Sequence, residues 1–260
     1  MSMGPTDKLN NLFKNGWIIL DSENLEHSNK LKNDILKKVK KIFSIKHKDP
    51  DYVLNNFHKI VKNLGEVELN DKKVKLIKSI SKSEELVELI FKSLESSLTN
   101  LLGKDLLVQK TINIVIQPPN DNNPTFPHRD APPNSFYEIV LWIPLVDCDT
   151  TKSMYLINLK DTKNSLAQLN KKDAKWNKFI NNFKNKKKFP KIKFGQILIF
   201  LPYVFHGSEK NKTNETRFSL NIRFKNLFTP SGKKFPLHFF RIFKISKFTD
   251  MAIENSKKEI

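Results

Sequence analysis

The strictest pattern in the chain is an alternation of polar and apolar side chains over residues 217–224. The polar residues are Arg217, Ser219, Asn221 and Arg223. The apolar residues between them are Phe218, Leu220, Ile222 and Phe224. Because successive side chains of a strand point to opposite faces, the stretch predicts a strand whose apolar face packs in a core. The fold must therefore contain a sheet that is covered on that side.

The polar face of this strand predicts an anion site. Of the 46 basic residues only four are arginine, and two of those four are Arg217 and Arg223. A guanidinium group donates paired hydrogen bonds to a carboxylate, so two arginines that frame a serine and an asparagine favour an anionic ligand. The alternative is an ordinary polar face exposed to solvent.

Three residues in two segments have the composition of a metal site. His128 and Asp130 are two positions apart, so in an extended segment both side chains lie on the same side. The apolar run 197–201, between Gly195 and Pro202, predicts a buried strand, and His206 follows it in a loop. Two histidines and one carboxylate form the facial triad of non-heme Fe(II) oxygenases. The alternative for His128 and Asp130 alone is a surface pair at a strand end.

Together these motifs resemble the Fe(II)/2-oxoglutarate-dependent oxygenases of the phytanoyl-CoA dioxygenase-like branch. The similarity covers about residues 10–228 and rests on His128-x-Asp130, on His206, and on Arg217-x-Ser219, which begins eleven residues after His206. Residues 136–147 also resemble the strand that follows the first metal motif. Within the branch, the chain is similar to small oxygenases encoded in surface-sugar and aminoglycoside-type biosynthesis clusters.

The resemblance implies the cofactors and the reaction. His128, Asp130 and His206 would bind Fe(II), Arg217 and Ser219 would bind the distal carboxylate of the co-substrate 2-oxoglutarate, and O2 would take the remaining position. The substrate would be a small polar metabolite, such as a sugar, a sugar-derived intermediate or an anion. Hydroxylation, oxidation or epimerisation is expected, since related halogenating enzymes lack the carboxylate ligand.

Other site residues are assigned less directly. Many relatives have a glutamine shortly before His-x-Asp, where this chain reads Asn-Pro-Thr-Phe-Pro at 123–127. The residue that assists the C1 end of 2-oxoglutarate is therefore open, and the candidates are Asn113, Gln117 and Ser208. Candidates for substrate contacts are Arg223, Asn221, Trp142, Glu138 and Arg129. For Trp142 and Glu138, a packed indole and a structural salt bridge are the alternatives.

The implied fold is mainly β with helical additions, a double-stranded β-helix (jelly roll, cupin-like) braced by N-terminal helices. We expect one domain over residues 1–260: a strand and supporting helices at about 10–105, a jelly-roll core at 106–228, and a tail at 229–260. The segment 160–193 would be an insertion, either a lid or a solvated connecting helix. The tail would cap the barrel, join a dimer contact or touch substrate.

Periodicity places the other elements. Helices are predicted near 23–44, capped by Asp21 or Ser22, and at 49–64 and 84–102. The last contains a stripe that we assign to the core, formed by Leu86, Ile90, Leu94 and Leu98. A turn into a short strand is predicted within 12–20, a β-rich stretch at 107–117, and further strands at 136–147 and 153–159.

Composition limits the rival functions. The net charge of +19 comes almost wholly from lysine, whereas nucleic-acid binding relies strongly on arginine, so we do not expect a nucleic-acid partner. Two alternatives are kept: a nucleic-acid or protein demethylating oxygenase, since Arg217 and Arg223 have an Arg-x5-Arg spacing, and a metal-free carbohydrate-binding jelly roll. A single cysteine and the lack of an apolar run of about 18 residues predict a cytoplasmic protein without a membrane span. The oligomeric state is not predicted.

Overall fold

A large antiparallel sheet forms the frame of the structure, a computed structural model that describes residues 5–130, 136–169, 183–231 and 236–256. Within these residues the sheet has seven strands in the order β1-β6-β4-β8-β2-β9, and β3 also pairs with β8. Strands β5 and β7 form a second, two-stranded sheet. The strands are β1 (Trp17–Asp21), β2 (Leu106–Gln109), β3 (Asn113–Gln117), β4 (Glu138–Pro144), β5 (Tyr155–Leu156), β6 (Gln196–Phe200), β7 (His206–Gly207), β8 (Arg217–Asn226) and β9 (Phe240–Lys244).

Most helices precede the central strands in the chain. In the described residues they are α1 (Pro5–Asn15), α2 (Leu25–Phe43), α3 (Pro50–Asn55), α4 (Phe57–Ile60), α5 (Glu66–Ser81), α6 (Glu84–Lys92), α7 (Glu95–Leu102), α8 (Leu159–Leu169), α9 (Pro236–Phe239) and α10 (Lys247–Ser256). None of these described helices has the length and apolar character needed to cross a membrane. The chain is therefore a mixed α and β structure built on an antiparallel sheet.

Strand β8 lies between the helices and a cavity, as its alternation predicts. On its apolar face, Phe218 contacts the ring of Phe57 in α4, with centroids 5.2 Å apart. Phe224 contacts Phe91 in α6 at 6.4 Å. The N-terminal helices thus brace this side of the sheet. The opposite, polar face is not the solvated surface of the alternative interpretation, because Arg217 is only 4% exposed and Ser219 is fully buried.

Strand pairing brings further side chains to the polar face of β8. On one edge, β3 places Asn113 opposite Asn221 and Gln117 opposite Arg217. On the other edge, β4 places Trp142 opposite Asn221. Because directly paired residues share a face, these side chains surround one region of the sheet.

The helix predicted at 84–102 is two helices, α6 and α7, and tertiary contacts explain the break. The backbone N–H of Glu23 donates to the carbonyl of Ser93. The Glu23 carboxylate accepts hydrogen bonds from the backbone N–H groups of Ser96 and Ser97, which gives α7 its own N-terminal cap. The predicted core stripe is nevertheless correct, since all four of its leucine and isoleucine residues are buried.

Other boundaries also differ from the predictions. Helix α2 is capped by Asn24 rather than by Asp21 or Ser22. The helix predicted at 49–64 is divided at Asn56 into α3 and α4. Helix α5 was not predicted, because its buried stripe is limited to Leu76 and Ile80.

The insertion and the tail are partly described. The first part of segment 160–193 is helical, as α8, and residues 170–182 lie outside the described residues. In the tail, β9 pairs with β2, where Phe240 lies opposite Gln109. The tail therefore extends the large sheet next to the core strands.

Candidate active site

Two backbone hydrogen bonds hold the histidines of the candidate metal site side by side. His128 N–H donates to the His206 carbonyl, and His206 N–H donates to the His128 carbonyl, each at 3.0 Å. His206 is further fixed by the pairing of β7 with β5. The two imidazole rings consequently lie 4.2 Å apart between centroids. Pairing of two distant segments thus brings the first metal motif to the second.

Three ligand atoms converge at this point. Nε2 of His128 lies 4.0 Å from Oδ1 of Asp130, and Nε2 of His206 lies 3.7 Å from Oδ2 of Asp130. One ligand atom from each residue lies within 4.8 Å of the other two. Among the described residues this is the group with the spacing to hold a cation. The three residues that were predicted to bind metal are therefore brought together.

The hydrogen bonds of the imidazoles direct their other nitrogen to the centre. Nδ1 of His128 donates to the Phe126 carbonyl at 2.8 Å, and Nδ1 of His206 donates to the Val204 carbonyl at 3.0 Å. Since a carbonyl only accepts, each Nδ1 carries a proton, and in a neutral ring the lone pair is then on Nε2. Metal-binding histidines are usually oriented by such bonds. The donor set therefore fits a divalent metal.

Electrostatics keep two of these ligands, His206 and Asp130, in the protonation states that bind metal. Burial lowers the pKa of His206 to about 4, so its imidazole is neutral at neutral pH. Burial works to raise the pKa of Asp130, but its interactions with His206 and with the charged Arg223, which also donates a hydrogen bond to it, hold that pKa below its ordinary value. A neutral imidazole and an ionised carboxylate are the forms that bind metal.

Arg217 and Ser219 present buried polar atoms that have no hydrogen-bond partner among the described residues. Arg217 Nη1 makes a long hydrogen bond of 3.4 Å to the Lys152 carbonyl, and its Nε has no acceptor. Ser219 Oγ is also unpartnered. Burial lowers the pKa of Arg217 to about 10, which leaves the guanidinium charged at neutral pH. Because buried polar groups are nearly always paired, these atoms fit an anionic ligand such as a carboxylate.

One cavity connects the metal residues to Arg217. Its volume is about 230 Å³, and its walls include all three metal residues and Arg217, together with the predicted residues Asn113, Ser208 and Trp142. Asn221 also lines it, and its buried Oδ1 has no partner in the part of the chain that the structure describes. Ser208 Oγ accepts a hydrogen bond from the backbone N–H of Thr125. The apolar walls come from Val115, Val140, Met154 and Phe200.

Four predicted residues have other contacts. Arg223 lines the cavity, but its Nη2 donates to Asp130 Oδ2 at 2.7 Å. Glu138 lies behind it, with Oε1 at 3.3 Å from Arg223 Nε, so the structural salt bridge foreseen for Glu138 is present. Arg129 lies over the rings of Tyr203 and Phe205. Gln117 Nε2 donates to the Glu209 carbonyl.

Gly207 is a site residue that the sequence reasoning missed. A Cβ at this position would lie 2.5 Å from Tyr155 Oη and 2.6 Å from the Thr125 carbonyl oxygen. Both distances are far below van der Waals contact, so the close packing next to His206 requires glycine. The available signal was a glycine directly after a predicted ligand. The apolar walls gave no signal, since they come from separate strands.

Comparisons with known proteins give fold matches. No protein-family model and no curated protein sequence matches the chain. A solved structure described as the non-heme monooxygenase ThoJ in complex with nickel has a TM-score of 0.55 and 13% identity, and the match covers 98% of this chain and 95% of that one.

Two further solved structures have the same fold. The non-heme alpha-ketoglutarate-dependent carbocyclase SnoK from nogalamycin biosynthesis gives a TM-score of 0.53 at 13% identity, over 85% of this chain and 83% of that one. HygX from Streptomyces hygroscopicus, solved with nickel and 2-oxoglutarate, gives a TM-score of 0.51 at 8% identity, and the match covers 88% of this chain and 89% of that one. The chain therefore has the fold of solved non-heme oxygenase structures.

Proposed function

We propose that the protein is an Fe(II)- and 2-oxoglutarate-dependent dioxygenase with a single domain of the double-stranded β-helix type over residues 1–260. His128, Asp130 and His206 hold Fe(II). Arg217 and Ser219 bind the distal carboxylate of 2-oxoglutarate. The reaction is hydroxylation, oxidation or epimerisation of a small polar metabolite.

The main support for the proposal is that one cavity is lined both by the three candidate metal ligands and by the buried positive charge of Arg217. The metal residues supply one face of ligands, which leaves other coordination positions free for co-substrate. The same cavity is lined by Arg217, a buried positive charge whose Nε has no hydrogen-bond partner among the described residues. Ser219, two residues along the polar face of β8, has a buried hydroxyl that is also unpartnered there, although Ser219 is not one of the residues that line the cavity. A dicarboxylate with a 2-oxo acid at one end matches both features at once.

Each part of the cavity has a task in this reaction. Bound Fe(II), with 2-oxoglutarate and O2, supplies oxidising power, while 2-oxoglutarate is converted to succinate and CO2. Arg217 neutralises the distal carboxylate and fixes its direction. The apolar walls at Val140, Met154 and Phe200 exclude water from the reacting centre. Asp130 keeps one negative charge among the ligands.

The substrate assignment is supported by polarity and by analogy. Asn113 and Asn221 are directly paired on the adjacent strands β3 and β8, and both line the cavity. Their side-chain amides can donate and accept hydrogen bonds with a hydroxyl-bearing compound. The positive net charge would favour the approach of anionic compounds. Structures that share the fold are described as a monooxygenase and as a carbocyclase of antibiotic biosynthesis. These features favour a small biosynthetic intermediate.

Succinate formation tests the proposal. Purified protein with Fe(II), O2 and 2-oxoglutarate should form succinate slowly even without substrate, and faster with a substrate from a library of sugars and sugar phosphates. Asp130→Ala should abolish both rates, and Ser219→Ala should raise the KM for 2-oxoglutarate. Arg241→Gln, at a surface pair with Glu84, is the control and should match the wild type. Equal succinate formation by wild type and Asp130→Ala would contradict the proposal.

A further inference from the structure

Arg223 makes a direct contact with a predicted metal ligand. Its Nη2 lies 2.7 Å from Oδ2 of Asp130, within the range of a strong charge-assisted hydrogen bond. Both side chains are only 12% exposed, so water screens this ion pair weakly. The position of the Asp130 carboxylate is therefore set by Arg223 before any metal binds.

Only one of the two carboxylate oxygens of Asp130 is in contact with Arg223 in this ion pair. Oδ2 accepts from Arg223 and also lies 3.7 Å from Nε2 of His206, whereas Oδ1 lies 4.0 Å from Nε2 of His128 and has no contact with Arg223 in this ion pair. A carboxylate with one oxygen occupied by a guanidinium is disposed to bind a metal through the other oxygen alone. A two-oxygen carboxylate ligand would take a second coordination position. One-oxygen binding leaves that position free.

Arg223 is itself held from three directions. Gln109 Oε1, at the end of β2, accepts from its Nη1 at 3.1 Å. Glu138, at the start of β4, lies 3.3 Å from its Nε. The ring of Phe239, in the tail, lies 5.6 Å from the guanidinium carbon. These contacts from three separate segments fix the guanidinium, and through it the carboxylate of Asp130.

We infer that Arg223 is a positioning residue that holds Asp130 as a one-oxygen metal ligand. This inference rests on the proposed function. It replaces the earlier interpretation of Arg223 as an anion-binding or substrate residue. Its charge is already balanced by Asp130 and Glu138, in contrast to that of Arg217. The tail takes part in the site through Phe239 and through the pairing of β9 beside Gln109.

Cobalt binding tests the inference without turnover. Co(II) is titrated into wild type, Arg223→Gln and Arg223→Lys, and affinity is measured by calorimetry while the visible absorption of bound Co(II) reports its coordination. Loss of a group that orients a metal ligand typically weakens metal binding about 10–100-fold. Arg223→Gln should fall in this range and change the Co(II) spectrum. Arg223→Lys should lose less affinity, because it keeps the charge but not the paired geometry.

Controls separate the outcomes. Arg241→Gln removes an arginine from a surface pair and should bind Co(II) as the wild type does. If Arg223→Gln does not fold, Gln109→Ala serves in its place and should also weaken binding and alter the spectrum. Wild-type affinity and spectrum in the folded Arg223 or Gln109 variant would overturn the inference while the proposed function stands. Failure of the wild type to bind Co(II) would overturn both.

Discussion

Replacing Arg217 by methionine should stabilise the metal-free protein and abolish its response to 2-oxoglutarate. Burial lowers the pKa of Arg217 from 12.5 to about 10. Since one pKa unit corresponds to about 1.4 kcal/mol, the charged guanidinium costs about 3 kcal/mol in the folded state relative to the unfolded state. The weak hydrogen bond to the Lys152 carbonyl returns about 1 kcal/mol at most. A methionine of similar length fills the space, so the free energy of unfolding should rise by about 2 kcal/mol.

Urea denaturation measures both effects. With Co(II) present, adding 2-oxoglutarate at about 100 times its Kd should raise the free energy of unfolding of the wild type by about 2.7 kcal/mol. Arg217→Met should show little of this increase. Arg241→Met, at a surface ion pair, should change stability by less than about 1 kcal/mol and keep the response to 2-oxoglutarate.

Two results would refute this reasoning. A loss of more than about 1 kcal/mol in the metal-free variant, on the scale of one net hydrogen bond, would mean that the guanidinium is well compensated inside the protein. An unchanged response to 2-oxoglutarate would mean that Arg217 does not bind the co-substrate.

Three further predictions concern the surroundings of the site. Gly207→Ala should lower the free energy of unfolding by about 1–3 kcal/mol through overpacking. Gly65→Ala, where a Cβ meets nothing within 4 Å, should lower it less. Equal losses in urea denaturation would mean that the added methyl group at Gly207 does not clash. Burial, together with Lys59, lowers the pKa of His58 below 6.5, so the unfolded state takes up a proton first and stability should fall as the pH drops below 6.5. His58→Gln should reduce this fall, and an unchanged pH profile would count against it. Ser219→Ala should leave metal-free stability within about 1 kcal/mol of wild type, because its hydroxyl is already unpaired; a larger loss would reveal a partner.

Short-range patterns in the sequence predicted the central strand and the three residues that the structure groups as a candidate metal site. The alternation over 217–224 specifies a strand whose apolar face is buried, and on its polar face Arg217 and Ser219 are buried while Asn221 and Arg223 are partly buried. The spacing of His128 and Asp130 places them in one segment, and His206 follows β6 as expected, although it lies in the short strand β7 and not in a loop. These features depend only on the period of a strand and on local turn signals.

Features that depend on long-range contacts were not predictable. The break between α6 and α7 depends on Glu23, which is distant in sequence from both helices. Arg223 was assigned to an anionic ligand because spacing does not reveal that Asp130 lies against it. The role of Gly207 depends on Tyr155 in another strand. In each case the deciding partner comes from a segment that local sequence does not identify.

An anaerobic titration tests directly whether the cavity binds Fe(II) together with 2-oxoglutarate. Fe(II) and 2-oxoglutarate are added to the protein without oxygen, and the visible charge-transfer absorption of their chelate is recorded. We expect an absorption band in the wild type that is absent in His206→Ala and strongly weakened in Arg217→Met. If the folded wild-type protein gives no band, or if the band persists in His206→Ala, the proposed Fe(II) and 2-oxoglutarate site is contradicted.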